Sequence, residues 1–193
     1  MHALLIKQER LHTEATELLE QVVYPILKEF GEVSVGGTYV YKLLNHPDID
    51  LDVINPNLTK EMYVDLCTTL ITLPVCSGFK TTDRVHYPHS HIVDRPTGYW
   101  LCPEIHFEEN TWKLDIWFQI PEWNTGNSNS YEKKLAMLND EDRISILSLK
   151  EELLSKGIYG IGREFQSVDV YDTVLGGGVK TISNLREYKS NHK

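Results

Sequence analysis

Three aspartates occupy alternate positions in Asp48-Ile49-Asp50-Leu51-Asp52-Val53-Ile54, and ten residues separate them from a glycine pair, Gly36-Gly37. Carboxylates at i and i+2 of a strand stand about 7 Å apart on one face. That reach suits divalent cations held about 3.5–4 Å apart, as in two-metal phosphoryl transfer. Glycines at a strand-to-helix junction let backbone N–H groups approach a phosphate with no Cβ in the way, and the start of a helix adds partial positive charge. The Thr38 hydroxyl adds one more donor. An acidic edge strand that resists aggregation would show the same alternation, so the chemical reading rests on the two features occurring in this order and at this spacing.

A rival constellation is His86-Tyr87-Pro88-His89-Ser90-His91, with His106 further on. His89 and His91 on one strand face can ligate zinc or another transition metal, although Pro88 interrupts the strand and no glutamate lies nearby. The cysteines, Cys67, Cys76 and Cys102, are odd in number and include no C-x-x-C pair. They read as inert buried thiols in a reducing compartment, and with no signal-peptide core in Met1–Arg10 the expected location is cytoplasmic, with no membrane partner. The 193 residues carry 28 Asp+Glu against 19 Lys+Arg, a net charge of −9. Such acidity argues against a duplex nucleic-acid partner, whose readers gain affinity by displacing counterions with a basic face. A small anion held by a few local donors remains compatible with it.

The elements that must position these residues follow from periodicity. Thr13 to Phe30 places apolar residues at i, i+3, i+4 and i+7, an amphipathic helix ending at Gly31. Glu32 to Val35 reads as a short strand, Thr38 to Leu44 as two helical turns broken by Asn45-His46-Pro47, and Asp48 to Ile54 as a strand with one acidic and one aliphatic face. A helix is expected over Thr59 to Leu73 with Pro74 as its stop. After a Ser77-Gly78 turn come β-rich stretches at Phe79 to Tyr87, Tyr99 to Phe107 and Trp112 to Ile120, the last two joined through Glu108-Glu109-Asn110. From Tyr131 the pattern is helical, with Ser167 to Leu175 and Thr181 to Tyr188 flanking a glycine stop at Gly176-Gly177-Gly178.

Val35-Gly36-Gly37 followed by Asp48-Ile49-Asp50-Leu51 resembles the DNA polymerase beta-type nucleotidyltransferase superfamily, and within it the small antibiotic branch of aminoglycoside and lincosamide nucleotidyltransferases. The resemblance implies an α+β fold: a nucleotidyltransferase-like mixed sheet flanked by helices, with residues 1–125 as the catalytic domain and 126–193 as a helical C-terminal region packing on it. That region would close the acceptor cleft or make a homodimer. A third acidic residue on a later strand completes the family's site, and Asp115 in Lys113-Leu114-Asp115-Ile116-Trp117 takes that place. The implied catalytic and metal-binding residues are thus Asp48, Asp50 and Asp115, with Mg²⁺ or Mn²⁺ as cofactor and an NTP bound over Gly36, Gly37, Thr38 and Lys42. The family's Gly-Ser is Gly37-Thr38 here, and Lys42 is the basic residue of the following helix. Asp50 belongs to the metal pair in either register, with Asp48 if the strand begins early and with Asp52 if it begins late. The implied reaction is metal-dependent transfer of a nucleotidyl group to a hydroxyl on a small molecule or protein. The alternative is a catalytically silent nucleotide- or partner-binding relative, for example a toxin–antitoxin component.

Overall fold

The structure, a computed structural model, describes residues 2–88, 96–124, 135–160, 162–178 and 180–191. The chain divides into two compact units. One comprises His12–Val40 and His46–Asn127; the other comprises Met1–Leu11, Tyr41–Asn45 and Ser128–Lys193.

The first unit is built on a five-stranded sheet of order β1-β2-β5-β4-β3. Its strands are β1 (Glu32–Val35), β2 (Asp48–Ile54), β3 (Cys76–Asp83), β4 (Tyr99–Phe107) and β5 (Asn110–Gln119). β2 and β5 pair in parallel, and every other neighbouring pair is antiparallel. The period of two sorts the side chains onto two faces. Ile49, Leu51 and Val53 of β2 and Trp112, Leu114, Ile116 and Phe118 of β5 are all buried. The aspartates of β2 and Lys113, Asp115 and Trp117 of β5 lie on the opposite face.

Helices cover the aliphatic face. α1 (Ala3–Leu18) starts ten residues before the periodicity of Thr13 to Phe30 suggests; its residues up to Leu11 belong to the second unit, where Leu4 packs against the helical core. It passes through a π-helical turn (Leu19–Val23) into α2 (Tyr24–Leu27). Pro25 supplies the reason. It has no N–H for the carbonyl four residues back and its ring crowds that carbonyl, and a widened turn just upstream relieves both. Glu14 on α1 accepts hydrogen bonds from the Trp112 indole (2.8 Å) and the Asn110 amide, so it satisfies the polar edge of a fully buried tryptophan.

α3 (Gly37–Val40) is a single turn rather than the two expected, since Lys42 takes a left-handed conformation (φ 55) that ends it. α4 (Lys60–Ile71) is capped by the Thr59 hydroxyl, which accepts from the Met62 amide, and buries Tyr63, Leu66 and Leu70. Tyr63 stacks on Tyr99 of β4 at 4.2 Å. Ser77-Gly78 lies inside β3, at a bulge, and the chain turns earlier, around Pro74. The β4–β5 hairpin closes through Glu108 and Glu109, with Glu108 at φ 50 and Asn110 already paired to Phe107.

In the second unit, α5 (Asp140–Ser155), α6 (Ser167–Gly177) and α7 (Ile182–Asn191) gather around Ile146, Leu149, Leu153, Phe165, Val170 and Leu185. Asn139 caps α5, a reciprocal pair of Gln166 and Asp169 caps α6, and Gly178 (φ 62) stops α6. Lys150 is fully buried and donates to the Leu43 carbonyl at 2.9 Å. No helix of the described residues is long and apolar enough to cross a membrane.

Candidate active site

β2 and β5 are fixed as neighbours by their aliphatic residues, and the same register sets the polar face. Asp48 stands across from Lys113, Asp50 from Asp115 and Asp52 from Trp117. Adjacent strands lie about 4.8 Å apart, so residues at one level can share a charge. Lys113 does so: its ammonium donates to Asp115 Oδ2 and lies 3.4 Å from Asp48 Oδ1. On the other oxygen, Asp115 Oδ1 accepts from the Trp100 indole N–H at 2.9 Å. That bond fixes the carboxylate of Asp115 from the neighbouring strand, since Trp100 pairs with Trp117 across β4 and β5.

Asp48 is about a quarter exposed, and His46 Nε2 approaches its other oxygen at 3.6 Å. Burial pushes the Asp48 carboxyl up, but the His46 contact and the Lys113 charge outweigh it and hold the group below its ordinary range. It thus contributes stability above the ordinary carboxylate pKa, and that contribution is lost as pH falls through its lowered folded value. Burial also pulls the Lys113 ammonium down, and the charges of Asp48 and Asp115 reverse this and raise it, so it stays cationic at neutral pH. On the same face of β4 as Trp100, the buried Cys102 thiol is pushed up to about 11 by burial, with the Lys113 charge opposing and the Asp115 and Asp48 charges adding to the rise, which leaves it protonated and inert.

Asp50 is exposed at the strand's outer face. Its carboxylate lies where a side chain at Gly37 would begin: a Cβ built there would meet Asp50 Oδ2 at 1.8 Å. Gly37 also has φ +61, so both space and backbone call for glycine. Gly36 donates its N–H to the Asp50 carbonyl at 2.9 Å, which commits that amide to the sheet, and a Cβ there would meet open space. The backbone donors that the glycine turn could offer an anion therefore reduce to Gly37 and Thr38, at the start of a helix too short to sum much dipole. Lys42 is exposed and belongs to the Tyr41–Asn45 segment of the second unit.

Asp52 stands apart from the Lys113 contacts, and burial alone raises its carboxyl pKa. A raised acid costs stability while ionised and recovers it as pH falls through the folded value. Asp52→Asn is expected to melt higher than the wild type at pH 7, with the gap closing as the pH drops through the raised value towards the ordinary 3.8. Melting curves across pH check this, and a constant gap would remove burial as the cause.

Of the other candidates, His86 is held to Asp83 through Nδ1 at 2.9 Å in the turn after β3, and His106 Nδ1 pairs with the Thr111 hydroxyl across the hairpin. His89 and His91 lie outside the described residues. Tyr39 stacks on His12 at 4.5 Å and its hydroxyl pairs with that of Thr16. Among the described residues no three His, Cys, Asp or Glu side chains are gathered as a ready metal cluster. Lys113 and Trp100 are the site residues that the sequence reading did not assign. Lys113 carried a signal, since two residues before Asp115 in a strand shares its face; the role of Trp100 depends on a strand register that sequence does not print.

No protein-family model and no curated protein matches the chain. Solved structures do. The chain superposes on a cytoplasmic RNA terminal U-transferase with a TM-score of 0.54 at 18% identity, over 86% of this chain and 47% of that one. On a non-canonical poly(A) polymerase complex, GLD-2–GLD-3, the TM-score is 0.56 at 16% identity, over 99% of this chain and 64% of that one. The fold is that of the nucleotidyltransferases. At these identities the likeness concerns the fold and does not single out the antibiotic-type branch, and the chain spans less than two thirds of either neighbour. What that fold comprises here is the mixed sheet flanked by helices.

Proposed function

We propose that the chain transfers a nucleotidyl group from an NTP to a hydroxyl acceptor, using Mg²⁺ or Mn²⁺ at Asp48, Asp50 and Asp115. The observation that carries this reading is the convergence of Asp48 and Asp115 on one positive charge, Lys113 Nζ, with Asp50 across from Asp115 and beside Gly37. An all-carboxylate donor set is the chemistry hard divalent cations take, and the ammonium marks where two of its members already close on a cation. The metal, when bound, supplies positive charge against the phosphates and makes the acceptor hydroxyl more acidic.

The chain's own residues do the rest. Gly37 lets the backbone run against the Asp50 carboxylate, and the Thr38 hydroxyl and the amides around it are donors for phosphate oxygens. Asp115, held by the Trp100 indole on Oδ1, would take the proton of the acceptor hydroxyl on Oδ2 once Lys113 has left that oxygen. The acceptor oxygen then forms its bond to the α-phosphorus as the bond to the β-phosphate breaks and pyrophosphate leaves. In-line placement of the two oxygens is what the fixed carboxylates provide.

The acceptor is a small molecule, a protein side chain or, as the names of both structural neighbours suggest, an RNA end. An RNA would be met at a single-stranded 3′-hydroxyl, since a net charge of −9 disfavours a duplex partner. A second reading, a silent nucleotide-binding relative, is favoured by the lysine standing between Asp48 and Asp115. The two separate by incubation with each NTP, Mg²⁺ and a panel of the three acceptor classes. Pyrophosphate release with label on one acceptor is expected; an NTP-induced rise in melting temperature without product from any acceptor would hand the chain to the second reading.

A further inference from the structure

We infer that Lys113 is a tethered counter-cation of the carboxylate site, occupying it in the metal-free protein and leaving it when a divalent ion binds. The inference rests on the metal-binding reading above and specifies how that site is regulated. Four observations carry it. The Lys113 ammonium bridges Asp48 and Asp115, its two contacts coming from strands that pair in parallel. It engages Asp115 Oδ2, while Trp100 takes Oδ1, so both oxygens of the third carboxylate are occupied. The donors are not otherwise gathered into a ready metal cluster among the described residues. Lastly, the lysine side chain is about two-fifths exposed, so its flexible stem has room to carry the ammonium outward.

The charge balance gives the reason for such an arrangement. Asp48, Asp50 and Asp115 on one face of two neighbouring strands would repel one another without a cation, and a single ammonium on β5 offsets part of that charge while no metal is bound. A divalent ion brings twice the charge and oxygen-matched coordination, but it must first break the two lysine contacts. Its apparent affinity is therefore lower than that of the bare carboxylates, because part of its binding free energy is spent on displacement. The displaced ammonium stays on the same strand as Asp115, within reach of an anionic group delivered to the site.

The test is Mn²⁺ binding to the whole chain, read by electron paramagnetic resonance of the free ion, together with melting temperatures with and without Mn²⁺. Lys113→Met keeps the apolar stem and removes the competing charge. It is expected to bind Mn²⁺ about tenfold more tightly, within the usual range of coupling between two competing ligands. Its metal-free form is expected to melt lower than the wild type, and its gain on adding Mn²⁺ to be larger. Lys113→Arg, which keeps a charge in place, is expected to bind Mn²⁺ no more tightly than the wild type and guards against a folding defect in the first variant. Equal Mn²⁺ affinity in wild type and Lys113→Met would overturn the exchange while leaving the metal site standing, and weaker binding in Lys113→Met would overturn it by making the lysine a helper. No Mn²⁺ binding by wild type or either variant would overturn both the exchange and the metal-dependent reading.

Discussion

Asp50→Asn is expected to cut nucleotidyl transfer on the order of a thousandfold and to abolish the rise in melting temperature that Mg²⁺ and ATP give the wild type. The substitution is isosteric and the residue is exposed, so the contact with Gly37 and the β1–β2 ladder survive while one charge disappears. Removing a metal-directed carboxylate forfeits several kcal/mol of transition-state charge stabilisation, and about 4 kcal/mol corresponds to roughly three decades in rate. The thermal readout is independent of the acceptor. A ligand that binds only the folded protein stabilises it in proportion to its affinity, so losing the site removes the shift even where the acceptor is unidentified. Asp50 is the informative position because the proposed metal pair includes it in either register, with Asp48 or with Asp52. Equal thermal shifts in the variant and the wild type would place the metal and nucleotide elsewhere.

The second large effect is expected from Gly37→Ala. Two costs add at this position. An L-residue held at φ +61 is strained, and the new Cβ would stand 1.8 Å from Asp50 Oδ2, a distance that forces the carboxylate aside. Together they are expected to destabilise the protein by about 2–4 kcal/mol, or roughly 5–10 °C in melting temperature for a chain of this size. Transfer and the Mg²⁺–ATP thermal shift should fall with it, since the displaced group is Asp50. Gly36→Ala is the control: its Cβ would meet nothing within 4 Å, so the glycine pair is asymmetric and the first position is expected to tolerate alanine. Similar losses in the two variants would show that the turn as a whole, rather than the Gly37–Asp50 contact, sets the cost.

Periodicity made the main positioning elements legible in the sequence. The unbroken carboxylate–aliphatic alternation of Asp48 to Ile54 specifies a strand with one buried face, and the strand observed has those bounds. Tyr99 to Phe107 likewise matches β4, and Thr59 supplies the cap of α4. What sequence did not yield are features set by pairing. Lys113 shares a face with Asp115 by the period of two, but its contact with Asp48 exists only because β5 lies beside β2 in parallel. Trp100 reaches Asp115 from a third strand. The commitment of the Gly36 amide to the Asp50 carbonyl follows from β1 pairing with β2, which removes one of the two donors that a glycine pair suggests. Lys42 could not be foreseen in a left-handed conformation, since nothing about a lysine asks for positive φ.

The parallel register of β2 and β5 also governs when the site can exist during folding. Asp48 and Lys113 are 65 residues apart in sequence, and α4, β3 and β4 lie in the chain between them. Closing so long a loop is a slow, non-local step. Until it happens, Asp48 and Asp50 sit on a strand without their partner. The strand that delivers the repelling carboxylate, Asp115, delivers the neutralising ammonium two residues before it, so charge and countercharge arrive in the same event.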